Sequence, residues 1–198
     1  MRRLGDVAVP KGPFDEDDVD AALASGDRQR AFALLMDRYG DQVYRYALAV
    51  TGSPQLAEDV RQQAFVESYR DLPRFESRSP VRGWLFTIVR HRCLDATKAQ
   101  RRWGLRYKNE PSLESETYDA ALGDQLDVRR LVEMLESCLA ELALAAREAV
   151  LLRYQQELSY DEAAVITGER PGTLQQRVAR ALPVLRKCVE AQLRPGGS

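Results

Sequence analysis

Apolar residues recur along most of this chain at the spacing of helices that bury one face. The longest stripe contains Phe32, Leu35, Met36, Tyr39, Val43, Tyr46, Ala47 and Val50. Two further stripes contain Val60, Ala64 and Phe65, and then Val81, Trp84, Leu85, Ile88, Val89 and Cys93. Arg90 is predicted to point outward from the last of these helices. No segment has the strict alternation of a half-buried strand, so the pattern predicts an all-α protein.

Breaks in this periodicity divide the chain into two predicted helical domains. The predicted parts are a flexible tail at 1–14, a first domain at 15–103, a flexible acidic linker at 104–128 and a second domain at 129–194. At the start of the first domain, the acidic residues 15–18 precede Val19 and Leu23, which lie about one helical turn apart. This arrangement predicts a short helix with acids at the positive end of its dipole, and an acidic interaction segment is the alternative.

The second domain contains the pattern of a helix-turn-helix. Ser159 and Glu162 have the spacing of a capping box, which opens a helix that Gly168 would end. Pro171 then starts a second helix, because proline is well accommodated in the first helical turn. The buried side of that helix would carry Leu174, Val178 and Leu182.

The opposite side of this second helix has the chemistry of base recognition. It carries Thr173, Gln176 and Arg180, with Arg177 at its flank. Gln can pair with adenine and Arg with guanine in the major groove, so the face predicts DNA binding. The same polar face could also be the solvated side of an ordinary surface helix, and many transcription regulators share the pattern.

Charge is sorted along the chain, although the formal net charge is only -1. Between Arg70 and Lys108 there are eleven basic residues and three acidic ones, an excess of eight positive charges. Residues 109–128 contain six acidic residues and neither Lys nor Arg. The basic segment can therefore neutralise phosphates, while the predicted linker repels them.

Several classes of function and site are disfavoured by the sequence. The three cysteines, Cys93, Cys138 and Cys188, are far apart, and His91 is the only histidine, so we expect no metal site and three free thiols. We recognise no paired catalytic carboxylates, no glycine-rich phosphate loop and no nucleophile with its base, so neither an enzyme nor a cofactor is expected. The sequence contains no signal peptide and no membrane-spanning run that we recognise, which predicts a cytoplasmic protein.

In their order and spacing, several segments resemble the extracytoplasmic-function sigma factors, a group within the bacterial sigma-70 family. The likeness extends from Asp15 to Leu193. In the first domain, residues 31–39 resemble the opening of region two, 57–65 its polymerase-binding helix, and 74–75 with 84–95 the part that melts and reads the minus-ten element. In the second domain, residues 151–154, 158–164 and 172–177 resemble region four, which reads the minus-thirty-five element.

The resemblance implies a promoter-recognition subunit that binds the RNA polymerase core and catalyses nothing itself. Its implied contacts with the clamp helices of the largest polymerase subunit are Asp59, Gln62 and Gln63. The implied minus-ten contacts are Arg74, Phe75, Ser77 and Arg90, and the implied minus-thirty-five contacts are Thr173, Gln176, Arg177 and Arg180. The resemblance also implies an anti-sigma factor as a partner of both domains, and a linker that enters the polymerase interior. Trp84 and Trp103 are predicted to act in packing rather than in base stacking.

Some positions depart from the family pattern. Gln63 stands where the family usually has an acidic residue, which bears on the clamp contact. Gln175 and Gln176 replace the usual lysine and serine, which bears on the promoter sequence that is read. Pro183 lies inside the predicted recognition helix and should kink or end it, because it removes a backbone hydrogen bond.

Two alternatives to a working sigma factor stay open at this point. One is a helix-turn-helix regulator that binds operators alone and uses its first domain for sensing or dimerisation. The other is a sigma-like interaction module that has lost transcription, for which Gln63 and Pro183 give some motivation. Dependence of DNA binding on the polymerase discriminates between a sigma factor and a stand-alone regulator.

Overall fold

The computed structural model describes residues 16–75, 80–104 and 124–193. Its helices are α1 (Glu16–Ala24), α2 (Arg28–Thr51), α3 (Pro54–Asp71), α4 (Val81–Gly104), α5 (Asp124–Glu141), α6 (Leu144–Val150), α7 (Tyr160–Thr167) and α8 (Pro171–Leu193). A short 3₁₀ turn at Leu72–Arg74 follows α3, and a π turn at Leu151–Gln155 follows α6. The described residues contain no strand, so the all-α prediction is confirmed. Among these helices, none is long and apolar enough to cross a membrane.

Helices α1 to α4 form a first bundle around the three predicted apolar stripes. Tyr39, Tyr46 and Phe86 are fully buried, and the rings of the last two meet edge to face with centroids 5.7 Å apart. Between α2 and α3 the chain turns sharply at Gly52, whose φ of 69° is a conformation that glycine adopts without strain. The Ser53 hydroxyl then accepts a hydrogen bond from the backbone N–H of Leu56 and caps α3.

Helices α5 to α8 form a second bundle, and α7 and α8 are the predicted helix-turn-helix. Ser159 and Glu162 form the predicted capping box, in which the side chain of each accepts a hydrogen bond from the backbone N–H of the other. Gly168 ends α7 with a φ of 73°. Helix α4 ends at Gly104 and α5 begins at Asp124, so both reach into the segment predicted as linker, while residues 105–123 and the predicted tail lie outside the described residues.

The recognition helix does not end at Pro183, which was one of the two predicted outcomes. Helix α8 continues through it to Leu193. Proline costs the helix one hydrogen bond to the carbonyl of Ala179. Leu174, Val178, Ala181 and Leu185 are buried on both sides of this point, so packing against the second bundle offsets the loss.

The expectation of three free thiols was wrong. Cys138 of α5 and Cys188 of α8 form a disulfide, with their Cα atoms 5.8 Å apart. The two residues are separated by 50 positions in sequence, and they meet because α5 and α8 pack side by side. Cys93 of α4 is free and buried.

The two bundles also pack against each other. Helix α4 contacts α7, and α2 contacts α5 and α6, so that the buried apolar residues of the two bundles join in one cluster. The sequence predicts two bodies separated by a tether, and the direct contact between them is a feature that no local pattern indicates.

Candidate nucleic-acid and polymerase interfaces

The predicted recognition face of α8 is open to solvent. Thr173, Gln176 and Arg180 are exposed, while Leu174 and Val178 are buried on the other side. Leu182 was expected to continue the buried side but is 39% exposed. A helix has 3.6 residues per turn, so residues spaced four apart move gradually around its axis. Ala181 therefore takes the buried position in place of Leu182.

Arg177 is held by the turn that precedes α8. Its guanidinium Nη1 lies 2.7 Å from the Glu169 carboxylate, and both side chains are partly buried. This hydrogen bond raises the pKa of Arg177 and lowers the pKa of Glu169. The pair ties the recognition helix to the turn, so Arg177 faces its own protein before any DNA is present. Glu169 was missed by sequence reasoning, because it lies eight positions from Arg177.

The residues predicted to contact the minus-ten element differ in their surroundings. Arg74 is exposed at the end of the 3₁₀ turn, whereas the ring of Phe75 packs on Trp84 with centroids 5.0 Å apart. Trp84 is partly buried against the first bundle, as the packing prediction requires. Ser77 and the side chain of Trp103 lie outside the described residues.

Arg90 does not point outward, contrary to the prediction. It faces the second bundle, where its Nε lies 3.2 Å from the carboxylate of Glu148, and the two side chains are 14% and 5% exposed. Burial raises the pKa of Glu148, and the Arg90 charge acts in the opposite direction. Arg82 lies about two helical turns closer to the start of α4. It donates a hydrogen bond to the backbone carbonyl of Gln156 in the second bundle. Neither Glu148 nor Arg82 carries a sequence signal for this role.

One side of α3 is exposed at the predicted polymerase contacts. Asp59, Gln62 and Gln63 are all open to solvent. The side-chain amide of Gln62 donates a hydrogen bond to the Glu58 carboxylate over 2.9 Å, which holds the Gln62 side chain in place. Val66 follows on the same side and is 70% exposed, an apolar residue in a position that the sequence analysis did not single out.

Comparison with known proteins agrees with this geometry. Residues 35–102 match the family model for Sigma-70 region 2, and residues 132–182 match that for Sigma-70, region 4. Over 170 residues the chain is 30% identical to the probable RNA polymerase sigma-C factor of Mycobacterium bovis, covering 83% of this chain and 86% of that protein. The chain belongs to the extracytoplasmic-function sigma factors of the sigma-70 family. The resemblance inferred from the sequence is thereby confirmed.

Other relatives of this sigma factor match over similar lengths. It is 28% identical to the RNA polymerase sigma factor CnrH of Cupriavidus metallidurans over 186 residues, which cover 90% of this chain and 97% of CnrH. The solved structure of CnrH in complex with the cytosolic domain of CnrY superposes with a TM-score of 0.66 and 26% identity, covering 89% of this chain and 99% of CnrH. The prediction of an RNA polymerase sigma factor is confirmed over that of a stand-alone regulator.

Proposed function

We propose that this sigma factor binds the RNA polymerase core through the exposed side of α3 and directs it to promoters with two DNA-contacting surfaces. The first bundle would hold the opened minus-ten element, and α8 would read the minus-thirty-five element. The sigma factor contributes recognition, and the polymerase carries out the chemistry. The observation that carries the proposal is the exposure of Thr173, Gln176 and Arg180 on a helix that follows a capped turn.

Three residues of α3 are proposed to contact the clamp helices of the largest polymerase subunit. Asp59 supplies the negative charge of this surface, and Gln62 and Gln63 supply amides that can donate and accept hydrogen bonds. Because residue 63 is an amide rather than an acid, the electrostatic part of the contact rests on Asp59. Val66 would add apolar contact area beside them.

The exposed side of α8 is proposed to enter the major groove at the minus-thirty-five element. Gln176 and Arg180 can each form a bidentate pair with a base, which gives about 1–3 kcal/mol of discrimination per pair. Thr173 can contact a base edge or the methyl group of thymine. Arg177 can contribute to the same surface once its pair with Glu169 is exchanged for a phosphate or base.

The minus-ten element is proposed to bind where the first bundle is most basic. Arg74, Phe75, Ser77 and Arg90 are the candidate contacts, within a segment that has eight more basic than acidic residues. Lysine and arginine release counterions from the DNA backbone, and an aromatic ring such as Phe75 can stack on an unpaired base. Phe75 would have to leave its contact with Trp84 at least in part to do so.

An anti-sigma factor is proposed as the regulatory partner of this chain. The CnrH structure that it resembles was solved with the cytosolic domain of CnrY bound. A structure of Bartonella quintana RpoE with the anti-sigma factor NepR shares the fold, with a TM-score of 0.67 at 23% identity. By analogy, such a partner would contact both bundles and block the polymerase or the DNA.

Run-off transcription with core polymerase on a library of promoter sequences tests the proposed function. We expect transcripts only when this sigma factor is added, from templates that share two sequence elements at a fixed spacing. Core polymerase alone is the control. The proposal fails if the protein forms no complex with the core and gives no promoter-dependent transcript.

A further inference from the structure

The turn between α7 and α8 places an acidic side chain beside the recognition helix. Glu169 directly follows Gly168, the residue that ends α7. The backbone N–H of Glu169 donates a hydrogen bond to the Thr167 hydroxyl over 3.3 Å, and this hydroxyl donates to the carbonyl of Ala163 over 2.9 Å. The backbone of Glu169 is therefore tied to the last turn of α7, which fixes the point from which its carboxylate reaches α8.

The carboxylate of Glu169 binds one end of the Arg177 guanidinium. The distance of 2.7 Å from Nη1 to Oε1 is that of a charge-assisted hydrogen bond. A guanidinium has five N–H donors, and among the described residues only Glu169 accepts a hydrogen bond from this one. Nε and Nη2 therefore keep donors for a ligand, on a side chain that is 26% exposed.

Arg180 provides the contrast on the same face. It lies three residues further along α8 and is exposed, and no carboxylate of the described residues pairs with it. The recognition face therefore contains one arginine with a protein carboxylate on it and one without.

Arg177 can meet DNA in two ways. It can exchange Glu169 for a phosphate, or it can keep Glu169 on Nη1 and donate through Nε or Nη2. Phosphates occur at every register of a duplex and carry no sequence information, so the first way adds to non-specific binding. The second way fixes the direction of the remaining donors, so only an acceptor at one position satisfies them.

We propose that Glu169 is a specificity-determining residue for the minus-thirty-five element, which acts by positioning Arg177. On the correct element, the base contacts of α8 set its depth in the groove, and Arg177 donates to one acceptor while Nη1 stays on Glu169. On other sequences, an Arg177 that leaves for a phosphate exposes a carboxylate near the DNA backbone, where like charges repel. Repulsion against wrong partners is a general route to specificity. The inference rests on the proposed role of α8 in reading this element.

Promoter binding by the holoenzyme tests the inference, with wild type and Glu169→Gln compared. The probes are a promoter duplex selected by run-off transcription and the same duplex with its minus-thirty-five element shuffled. Glutamine keeps the size of the side chain but removes its charge, so the hold on Arg177 is weakened. We expect affinity for the shuffled duplex to rise about twofold to fivefold, the effect of a surface ion pair, and the preference for the intact element to fall by a similar factor.

Salt dependence provides a readout that a purely structural role would not change. Each phosphate neutralised by a cation adds about 0.9 to the slope of log affinity against log salt concentration. The released Arg177 adds one such contact, so Glu169→Gln should steepen the slope on the shuffled duplex by about this amount. An unchanged slope overturns the inference, because Arg177 has then gained no phosphate.

Glu190→Gln is the matched control on the same helix. Glu190 accepts a hydrogen bond from Nε of Arg186 over 3.0 Å, so this variant also removes a carboxylate from an arginine of α8. It lies about 20 Å along the helix from Arg177, beyond the screening length of about 8 Å at physiological salt. Preference and slope should match those of the wild type. Equal changes in Glu190→Gln and Glu169→Gln would reveal a general effect of lost negative charge and overturn the inference.

A double variant, Glu169→Gln with Arg177→Gln, separates positioning from direct contact. It removes both charges of the pair, so affinity and slope on the shuffled duplex should return to those of the wild type. A rise that persists in the double variant means that the effect does not pass through Arg177. If Glu169 itself accepted a hydrogen bond from a cytosine, Glu169→Gln would instead weaken binding to the intact duplex and leave the shuffled duplex unchanged. Either result overturns the inference.

Two outcomes separate this inference from the proposed function. A wild-type holoenzyme that binds both duplexes equally would contradict the proposed role of α8 itself. A wild-type preference that Glu169→Gln leaves intact would contradict only the role of Glu169. Circular dichroism checks that each variant keeps its helical content, and equal weakening on both duplexes would indicate a structural role for Glu169 and overturn the inference.

Discussion

At the level of single residues, the recognition helix contains two kinds of polar side chain. Thr173, Gln176 and Arg180 have no protein surface over them, whereas Arg177 is partly buried and bound to Glu169. The sequence analysis placed Arg177 at the flank of the other three and predicted all four as DNA contacts. It could not predict the pair with Glu169, because the partner of Arg177 is set by the path of the turn.

Charge reversal at Arg180 tests the role of this face. Arg180→Glu should weaken the binding free energy for the minus-thirty-five element by about 1–3 kcal/mol, because an attractive contact between the side chain and a base is replaced by charge repulsion. The measurement is the affinity of the holoenzyme for a promoter duplex, with core affinity measured in parallel. Arg28→Glu at the exposed start of α2 is the matched control and should retain both affinities. Equal loss of core and DNA binding in Arg180→Glu would contradict the assignment.

The cysteines provide a second prediction at this scale. Cys93 is buried, and burial raises the pKa of its thiol to about 12, so almost no thiolate is present at neutral pH. An alkylating reagent should label no cysteine in the native protein, one in denaturant, and three in denaturant with a reductant. Mass spectrometry counts the added groups. Labelling of two or three cysteines in denaturant without reductant would contradict the disulfide.

At the level of elements, the helices and the helix-turn-helix follow from the sequence because their signals are local. The capping box at Ser159 and the glycine at 168 act within a few residues of themselves. Helix α8 continues past Pro183, because the packing of α8 outweighs the local penalty of the proline. The disulfide and the direction of Arg90 were not predictable, because both depend on which helices become neighbours.

The disulfide between α5 and α8 should stabilise the second bundle. Closing a segment of 50 residues restricts the unfolded chain by up to about 4 kcal/mol in the chain-entropy description. Reduction of the wild type should therefore lower its free energy of unfolding, measured with urea. A double variant, Cys138→Ser with Cys188→Ser, is the control and should not respond to reductant. The same response in both proteins would contradict a stabilising bond.

The exposed side of α3 can be tested independently of α8. Asp59→Arg should weaken binding of the polymerase core by tenfold or more, since a charge in a protein contact is reversed. Helical content should be unchanged because Asp59 is exposed. Asp41→Arg, at an exposed position of α2, is the matched control. Unchanged core affinity in Asp59→Arg would refute the proposed clamp contact.

At the scale of the whole molecule, two bundles that could act on separate stretches of DNA are packed into one body. The contacts between them use charged groups of a segment that is otherwise suited to bind phosphates, including Arg82 and Arg90. Packing of the two bundles and the proposed minus-ten contact therefore both involve Arg90.

The most direct test of the account is the dependence of promoter binding on the polymerase core. Fluorescence anisotropy of a labelled promoter duplex is measured with the sigma factor alone, with core alone, and with both. We predict tight, sequence-specific binding only when both are present, since the proposed core-binding surface on α3 would let the polymerase hold the DNA together with the proposed DNA-binding surfaces. Tight specific binding by the sigma factor alone, with no gain on adding core, would contradict it.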